Sequence, residues 1–353
     1  MRLLQNRGEH DDFRGAETFG TTGGRDVNRE AYIVGTGHCV PEKILTNADL
    51  EKMVDTTDQW IVERTGIRTR HITDDRTATS DLALEASRQA MESAGWKPSD
   101  VQAVIVGTVT PDHAFPSTAC LVATRLGLGR VPAWDFEAGC TGFVYGLIQA
   151  KAFILSGLFD RIIVIGAECL TKITNWDDRT SCILFGDGAG AVAVSSQGPG
   201  GRLGSFHWGS DGNISDLLIQ PAGGSREPAT CETVKAHKHT IWMNGSETFK
   251  HAVRAMRDSC LLALENEGIP KSEVDLLISH QANWRIIDAT ARALGLSPEQ
   301  VYVNIDRYGN TSAASIPIAL DEAMRAGLLA SPKNVVLAAF GAGMTWGGIV
   351  IRW

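Results

Sequence analysis

SAGWKPSDVQAVIVG (93–107) and NEGIPKSEVDLLISH (266–280) decide how this chain is built. Each ends a helical pattern on glycine, passes through a Ser-acidic-Val start and enters a short apolar strand. Gly95 and Gly268, like Val101 and Val274, stand 173 positions apart. Two further pairs follow in the same order. DFEAGCTGF (135–143) and NIDRYGNTSA (304–313) each close a strand and open a helix with small residues, placing Cys140 and Asn310 170 positions apart. FGDGAGAVAV (185–194) and FGAGMTWGGIV (340–350) are glycine-rich turns leading into a last strand, their phenylalanines 155 positions apart. Three matches in one order point to a duplicated unit. Corresponding loops of two similar halves then meet about a pseudo-twofold axis and bring positions 140, 280 and 310 together, at the carboxyl ends of strands where α/β sheets hold their ligands.

Working outward, short β-rich runs alternate with longer helical patterns from residue 31 onward, which is the signature of α/β layering. AYIVG (31–35), VQAVIVG (101–107), RIIVIG (161–166), VDLLIS (274–279), NVVLAAF (334–340) and GGIVIRW (347–353) read as strands. Several are apolar throughout, so helices must cover the sheets on both faces. At 353 residues the chain exceeds the usual size of one core. The expected division is an N-terminal half over 30–200 and a C-terminal half over 201–353. Residues 1–29 mix both charge signs with Gly and Thr and show no apolar period; they read as a flexible extension.

Composition narrows the class. A hydrophobic share of 43% with 21% charged residues is that of an ordinary globular protein. The net charge of −8 argues against a broad basic surface for nucleic acid. No run approaches the roughly 18 apolar residues of a membrane span, and the N-terminus lacks the apolar core of a secretory signal, so a cytoplasmic protein is expected. The seven cysteines are odd in number and include no Cys-x-x-Cys pair, which argues against disulfides and structural zinc.

Context singles out one cysteine. Cys140 follows the strand VPAWDF and precedes TGFVYGLIQAKAFIL, whose apolar residues mark one helical face, so it sits at a helix N-terminus. The helix dipole and free amides there favour an anion, and a lowered thiol pKa is expected. His280 ends one apolar strand and opens the amphipathic QANWRIIDATARAL. Asn310 lies in RYGNTSAAS, where a cap or turn role is the local alternative. FGAGMTWG (340–347) offers backbone amides suited to an oxyanion or to a tight strand entry. Neither glycine-rich turn has the spacing or the following Lys of a phosphate cradle.

With these residues in place, the chain from 31 to 353 resembles the β-ketoacyl-acyl-carrier-protein synthase III enzymes of the thiolase superfamily. The likeness is carried by TNADLEKMVDTTDQWIVERTGIRTRHI (46–72), HAFPSTAC (113–120), DDRTSCILFGDGAGA (177–191), SHQANWRII (279–287), DRYGNTSAASIP (306–317), FGAGMTWG and the Cys140 segment. It implies a thiolase-like fold, two duplicated α/β halves in a five-layered α-β-α-β-α sandwich. It also implies a decarboxylative condensation of a short acyl-CoA, acetyl-CoA by preference, with malonyl-acyl carrier protein. Cys140 would accept the acyl group, His280 and Asn310 would serve malonyl decarboxylation, and the Cys140 and Ala342 amides would form an oxyanion hole. Trp60, Arg64 and Arg179 match positions that hold the adenine and phosphates of coenzyme A, and Phe249 and Asn283 match the pantetheine channel. Phe115 matches a residue that closes the partner's acyl pocket in a homodimer.

Neither metal nor resident cofactor is implied, since coenzyme A thioesters are substrates. The acyl carrier protein is expected to be acidic, and Lys250, Arg254, Gln281 and Arg285 are its candidate contacts. Ser246 departs from the family pattern where many relatives have Asn, and Ala342 where Gly is frequent. A sister enzyme of polyketide or quinolone synthesis with another primer is the nearest alternative. A thioesterase, an acyltransferase and a silent subunit are the others.

Overall fold

The backbone closes each copy of the repeat with the same hydrogen bonds. In a computed structural model describing residues 29–330 and 333–353, Gly95 and Gly268 both adopt left-handed backbone, at φ 68° and 69°. The next amide then reaches back five residues, Trp96 to the Met91 carbonyl at 2.8 Å and Ile269 to the Leu264 carbonyl at 3.0 Å. This satisfies carbonyls that a helix end leaves bare, and glycine takes the left-handed position without a Cβ penalty. Residues 1–28 of the expected extension lie outside the described residues; at its end, Arg29 donates Nε–H to the Ile154 carbonyl at 2.7 Å.

Nine strands form the main sheet: β1 (Tyr32–Cys39), β2 (Ala103–Gly107), β3 (Ala133–Phe136), β4 (Arg161–Cys169), β5 (Asp187–Ser195), β6 (Gly201–Ser210), β7 (Leu276–Ser279), β8 (Asn334–Gly341) and β9 (Thr345–Arg352). Their spatial order is β7-β8-β9-β6-β1-β5-β4-β2-β3. Read outward from the centre, β1-β5-β4-β2-β3 and β6-β9-β8-β7 follow one plan. The β2–β4 and β7–β8 pairs are parallel, while β4–β5 and β8–β9 are antiparallel. The place of β3 is taken in the second set by Val301, in a parallel bridge to Leu277. The two sets join through Tyr32↔Arg202 and Ile33↔Gly201.

Helices fill three layers: α1 (Asp58–Thr65), α2 (Thr79–Ser93), α3 (Thr118–Arg125), α4 (Gly142–Leu155), α5 (Gly245–Glu267), α6 (Trp284–Leu294) and α7 (Ser315–Arg325). Alternation along the strands assigns the layers. Ile162 and Val164 of β4 pack into a central cluster with Phe143 and Leu147 of α4 and Ile316 and Leu320 of α7. That cluster also takes Ile278, Val335, Leu337 and Ile349 from the second set. Ile163 and Ile165 point the other way, toward Leu84 of α2 and Val122 of α3. On the far side, Val336 and Val350 pack with Met256 of α5 and Leu294 of α6. The sequence α2/α3, sheet, α4/α7, sheet, α5/α6 is the five-layered sandwich expected. Among the described residues no helix is long and apolar enough to cross a membrane.

The central helices sit directly against strand backbone. A Cβ on Gly166 of β4 would stand 2.2 Å from the Ala313 carbonyl oxygen, in the turn that carries Asn310 into α7. Both sides of that contact are backbone, so neither can rotate away. Gly166→Ala is expected to cost about 1–3 kcal/mol by overpacking, seen as a lowered midpoint in urea unfolding.

Candidate active site

Cys140 occupies a single turn, Gly139–Thr141, that feeds into α4. Its backbone is pressed against the β8–β9 connection. A Cβ on Gly341 would lie 2.4 Å from the Cys140 nitrogen, and one on Gly139 would lie 2.6 Å from the Ala342 nitrogen. Glycine at both places lets the turns that carry Cys140 and Ala342 pack backbone to backbone. Thr345 ties the two turns by donating to the Ala138 carbonyl at 2.8 Å.

His280 follows β7, is 2% exposed, and anchors its amide to the Ala338 carbonyl at 2.7 Å. Its Nδ1 lies 2.7 Å from Ser315 Oγ at the start of α7. That hydroxyl also accepts the Gln281 amide at 3.3 Å. The Ser315 contact fixes the plane of the ring and leaves Nε2 as the nitrogen without a recorded protein partner among the described residues. Burial holds the ring neutral by lowering its pKa to about 3, because the charged form is the one that loses solvation.

Asn310 is 7% exposed and held at both backbone groups. Its amide donates to the Leu184 carbonyl at 2.8 Å, and its carbonyl accepts from Gly186 at 3.0 Å. The side-chain oxygen accepts the Ser312 amide at 2.9 Å, which leaves the Nδ2 hydrogens to point elsewhere. Arg70 steadies this region from behind: fully buried, it donates to Asn47 Oδ1 and to the Ile183 carbonyl, each at 2.8 Å.

Two cavities meet at Cys140. One of about 120 Å³ is lined by Cys140, His280, Asn310, Phe249, Asn283 and Phe340. The other, about 380 Å³, is lined by Cys140, Ala342, Ser312, Glu137 and the apolar Val109, Leu170, Ile173 and Phe185. A still larger hollow of about 670 Å³ beside Arg29, Trp96 and Arg161 has no cysteine or histidine in its wall. Size therefore does not mark the reactive place; convergence of Cys140, His280 and Asn310 does.

The expected fall in the Cys140 thiol pKa is overturned. Burial pushes it up to about 12, with the carboxylates of Glu168 and Glu137 adding to the rise and the Ser312 hydroxyl opposing it. Desolvation is the largest cause and outweighs the hydrogen bonds that lower the value. A second correction concerns Gln281. It is 1% exposed and bonds internally to the Ser279 and Tyr302 carbonyls at 2.8 and 3.2 Å and to the Asn304 amide at 3.1 Å, so it cannot meet a carrier protein.

The other predicted residues fall into two groups. The Trp60 ring on α1 lies between two guanidinium groups, Arg64 at 5.0 Å and Arg179 at 4.8 Å from its centroid. Asn283 caps α6 through the Arg285 amide and donates Nδ2–H to the Arg64 carbonyl at 3.1 Å, which joins this cluster to the smaller cavity. Arg285 stands 5.8 Å above the Phe249 ring at the rim. Lys250 and Arg254 are exposed on α5, Lys250 paired with Glu247 at 2.7 Å. Phe115 is 86% exposed and absent from both cavity walls within this chain. Among the described residues, no three His, Cys, Asp or Glu side chains converge as a metal site.

Ser312, Ser315 and Glu168 were not anticipated. The small polar run after Asn310 was one signal for the two serines. A carboxylate ending the apolar strand RIIVIGAEC was another, since an acid in such a strand is buried only with a purpose or a partner.

Comparison with known proteins bears on the same residues. Family models described as 3-oxoacyl-[acyl-carrier-protein] synthase III match residues 134–212, and the C-terminal model of that family matches 264–353. A β-ketoacyl-[acyl-carrier-protein] synthase III of Caldanaerobacter subterraneus is 53% identical over 324 residues, 92% of this chain and 98% of the relative. That of Clostridioides difficile is 49% identical over 327 residues, 93% and 99% of the two chains. The crystal structure of 3-oxoacyl-[acyl-carrier-protein] synthase III from Aquifex aeolicus superposes with TM-score 0.84 at 42% identity, covering 92% of this chain and all of the other. A priming β-ketosynthase of a polyketide pathway superposes equally well, TM-score 0.84, at 30% identity over 92% and 96%. Identity near one half along almost the whole of its relatives, on a shared thiolase-like fold, means that the chain belongs to the β-ketoacyl-acyl-carrier-protein synthase III family.

Proposed function

We propose that the chain catalyses the condensation that initiates fatty acid synthesis, joining a short acyl group from acyl-CoA, acetyl by preference, to malonyl-acyl carrier protein with loss of carbon dioxide. The observation that carries this is the convergence on one cavity of Cys140, a buried neutral His280 and an Asn310 whose side-chain oxygen is already engaged. With the imidazole in its Nε2–H form, both side chains would offer N–H donors to the cavity that Cys140 shares.

The first half-reaction uses the thiol. Cys140 Sγ attacks the acyl-CoA carbonyl, and the oxyanion falls to the Cys140 and Ala342 amides. Coenzyme A then departs. In the second, the malonyl thioester loses carbon dioxide and its enolate oxygen receives the His280 and Asn310 donors. Asn cannot remove a proton, and a neutral imidazole is a poor acid, so the carbanion survives to attack the acyl-cysteine. A Cys hydrolase would need an orienting Asn behind its His; here Ser315 occupies that position, which favours condensation over hydrolysis.

Trp60 between Arg64 and Arg179 supports a coenzyme A site, an aromatic face for adenine flanked by phosphate-pairing cations. Phe249 and Asn283 would line the pantetheine path, and Lys250, Arg254 and Arg285 would receive the carrier protein. Phe115, bare in the single chain, supports a homodimer in which it closes the partner's acyl cavity. The halves are taken as residues 30–200 and 201–353, on the repeated strand plan, and the enzyme as cytoplasmic. Priming of polyketide synthesis is the second reading, favoured by the equal superposition on a polyketide priming enzyme.

Incubation with labelled acetyl-CoA is expected to place one acetyl group on Cys140, located by peptide mass mapping, and Cys140→Ala to abolish it; an unlabelled Cys140 would remove the reading. A panel of acyl-CoA primers separates the two pathways, since preference for a bulky or aromatic primer would favour the polyketide one. Ser315→Ala frees the His280 ring and is expected to slow malonyl decarboxylation by roughly a hundredfold while leaving acetylation of Cys140 intact. Charge reversal, Lys250→Glu or Arg285→Glu, is expected to raise KM for malonyl-carrier protein by roughly tenfold, with unchanged KM excluding that face from docking.

A further inference from the structure

Glu168, at the end of β4, is fully buried and has no part in the chemistry above. One of its oxygens, Oε2, accepts from the Thr110 hydroxyl at 2.6 Å, the Val109 amide at 3.1 Å and the Thr108 hydroxyl at 3.2 Å. The two threonines have their lone pairs used elsewhere, Thr110 by the Cys169 amide at 2.9 Å and Thr108 by the Thr110 amide at 3.0 Å. Their protons are therefore fixed on Oε2. The other oxygen, Oε1, faces Ser312 Oγ at 3.1 Å and has only the longer Val109 contact besides, at 3.2 Å. Ser312 and Cys140 stand in the wall of the same cavity, and the Ser312 hydroxyl is the neighbour that favours the thiolate.

Ser312 has one hydroxyl proton and two claimants for it. With Glu168 ionised the proton goes to Oε1, and the neighbouring negative charge opposes a thiolate. With Glu168 protonated, Oε1 donates to Ser312 and Ser312 donates to Sγ. Carboxylate and thiolate therefore share one proton across a single hydroxyl.

We propose that Glu168, acting through Ser312, takes up the Cys140 proton during acyl transfer and returns it to the departing coenzyme A sulfur. Sγ–H passes its proton to Ser312 Oγ as the Ser312 proton moves to Glu168 Oε1. The thiolate forms the new C–S bond, the old C–S bond breaks, and the proton runs back to the leaving thiolate, so that charge and protons balance without an outside base. Burial supports the assignment by raising the Glu168 pKa to about 7 despite its donors. The other ionisable groups near this chain are Cys169 beside Glu168, Asp187 on β5, which is held by Thr73 and Thr171, Glu137 beside Cys140, and His280, which burial keeps neutral.

The proposal rests on Cys140 as acyl acceptor, which acetyl-CoA labelling tests separately; iodoacetamide reads the thiol alone. Alkylation of Cys140 in the wild-type chain is expected to rise with pH up to about 7 and then level off, because above that value the thiolate forms by internal transfer. In Glu168→Gln and in Ser312→Ala the plateau is lost, and the rate keeps climbing about tenfold per pH unit beyond that point, as for a thiol that must give its proton to water. A plateau at the wild-type pH in either variant overturns the proposal. Thermal melting checks that each variant folds, and Ser312→Ala decides alone if Glu168→Gln does not. A purely structural role would lower the rate at every pH alike.

Discussion

Backbone touching backbone sets the geometry on which everything else here depends. The turn before α7 lies against Gly166, the turn before α4 lies against Gly341, and a Cβ on Gly107 would come within 2.9 Å of Gly142. A side chain at any of these places would push a central helix outward and move Cys140 or Asn310 with it. Interiors packed at crystal-like density transmit such shifts with little loss. At these glycines no adjustable side chain stands between the start of each central helix and the sheet that holds it.

How far the sequence disclosed this follows from the range of each signal. Apolar runs and the paired glycines at 95 and 268 are local, and they located strands and helix ends within a few residues. β6 was missed: GRLGSFHWGS scatters glycine and half-exposed positions along an element whose only role is to join neighbours. The convergence of Cys140, His280 and Asn310 was legible because the repeat supplied a symmetry. What failed were statements about environment. Cys140 at a helix start reads as an acidified thiol, yet its desolvation, and the carboxylate of Glu168, come from segments remote in the chain. Gln281, polar and next to His280, reads as a surface contact, whereas Tyr302 and Asn304 enclose it.

The raised thiol pKa changes how the site is understood. A cysteine that is ionised at rest is reactive toward any electrophile that reaches it. One that stays protonated until a substrate displaces water is selective by default, and the cost is a proton that must be moved on demand. His280 cannot take that proton, since the same burial that keeps it neutral also makes its charged form expensive. The two half-reactions thus use separate proton and hydrogen-bond equipment around one sulfur atom.

The central layer also has a consequence for synthesis of the protein. α7 is encoded in the second half of the chain, yet it packs on β5 and β1 of the first, while α4 from the first half reaches β9 and β6 of the second. As the polypeptide emerges in order, the inner face of the first sheet is covered only in part, by α4, until residues 315–325 arrive, more than a hundred positions after β5 is complete. Each half buries an outer cluster of its own, but the central cluster is completed only by both together. Separation of the halves into independent genes would leave two sticky sheets where there had been one enzyme.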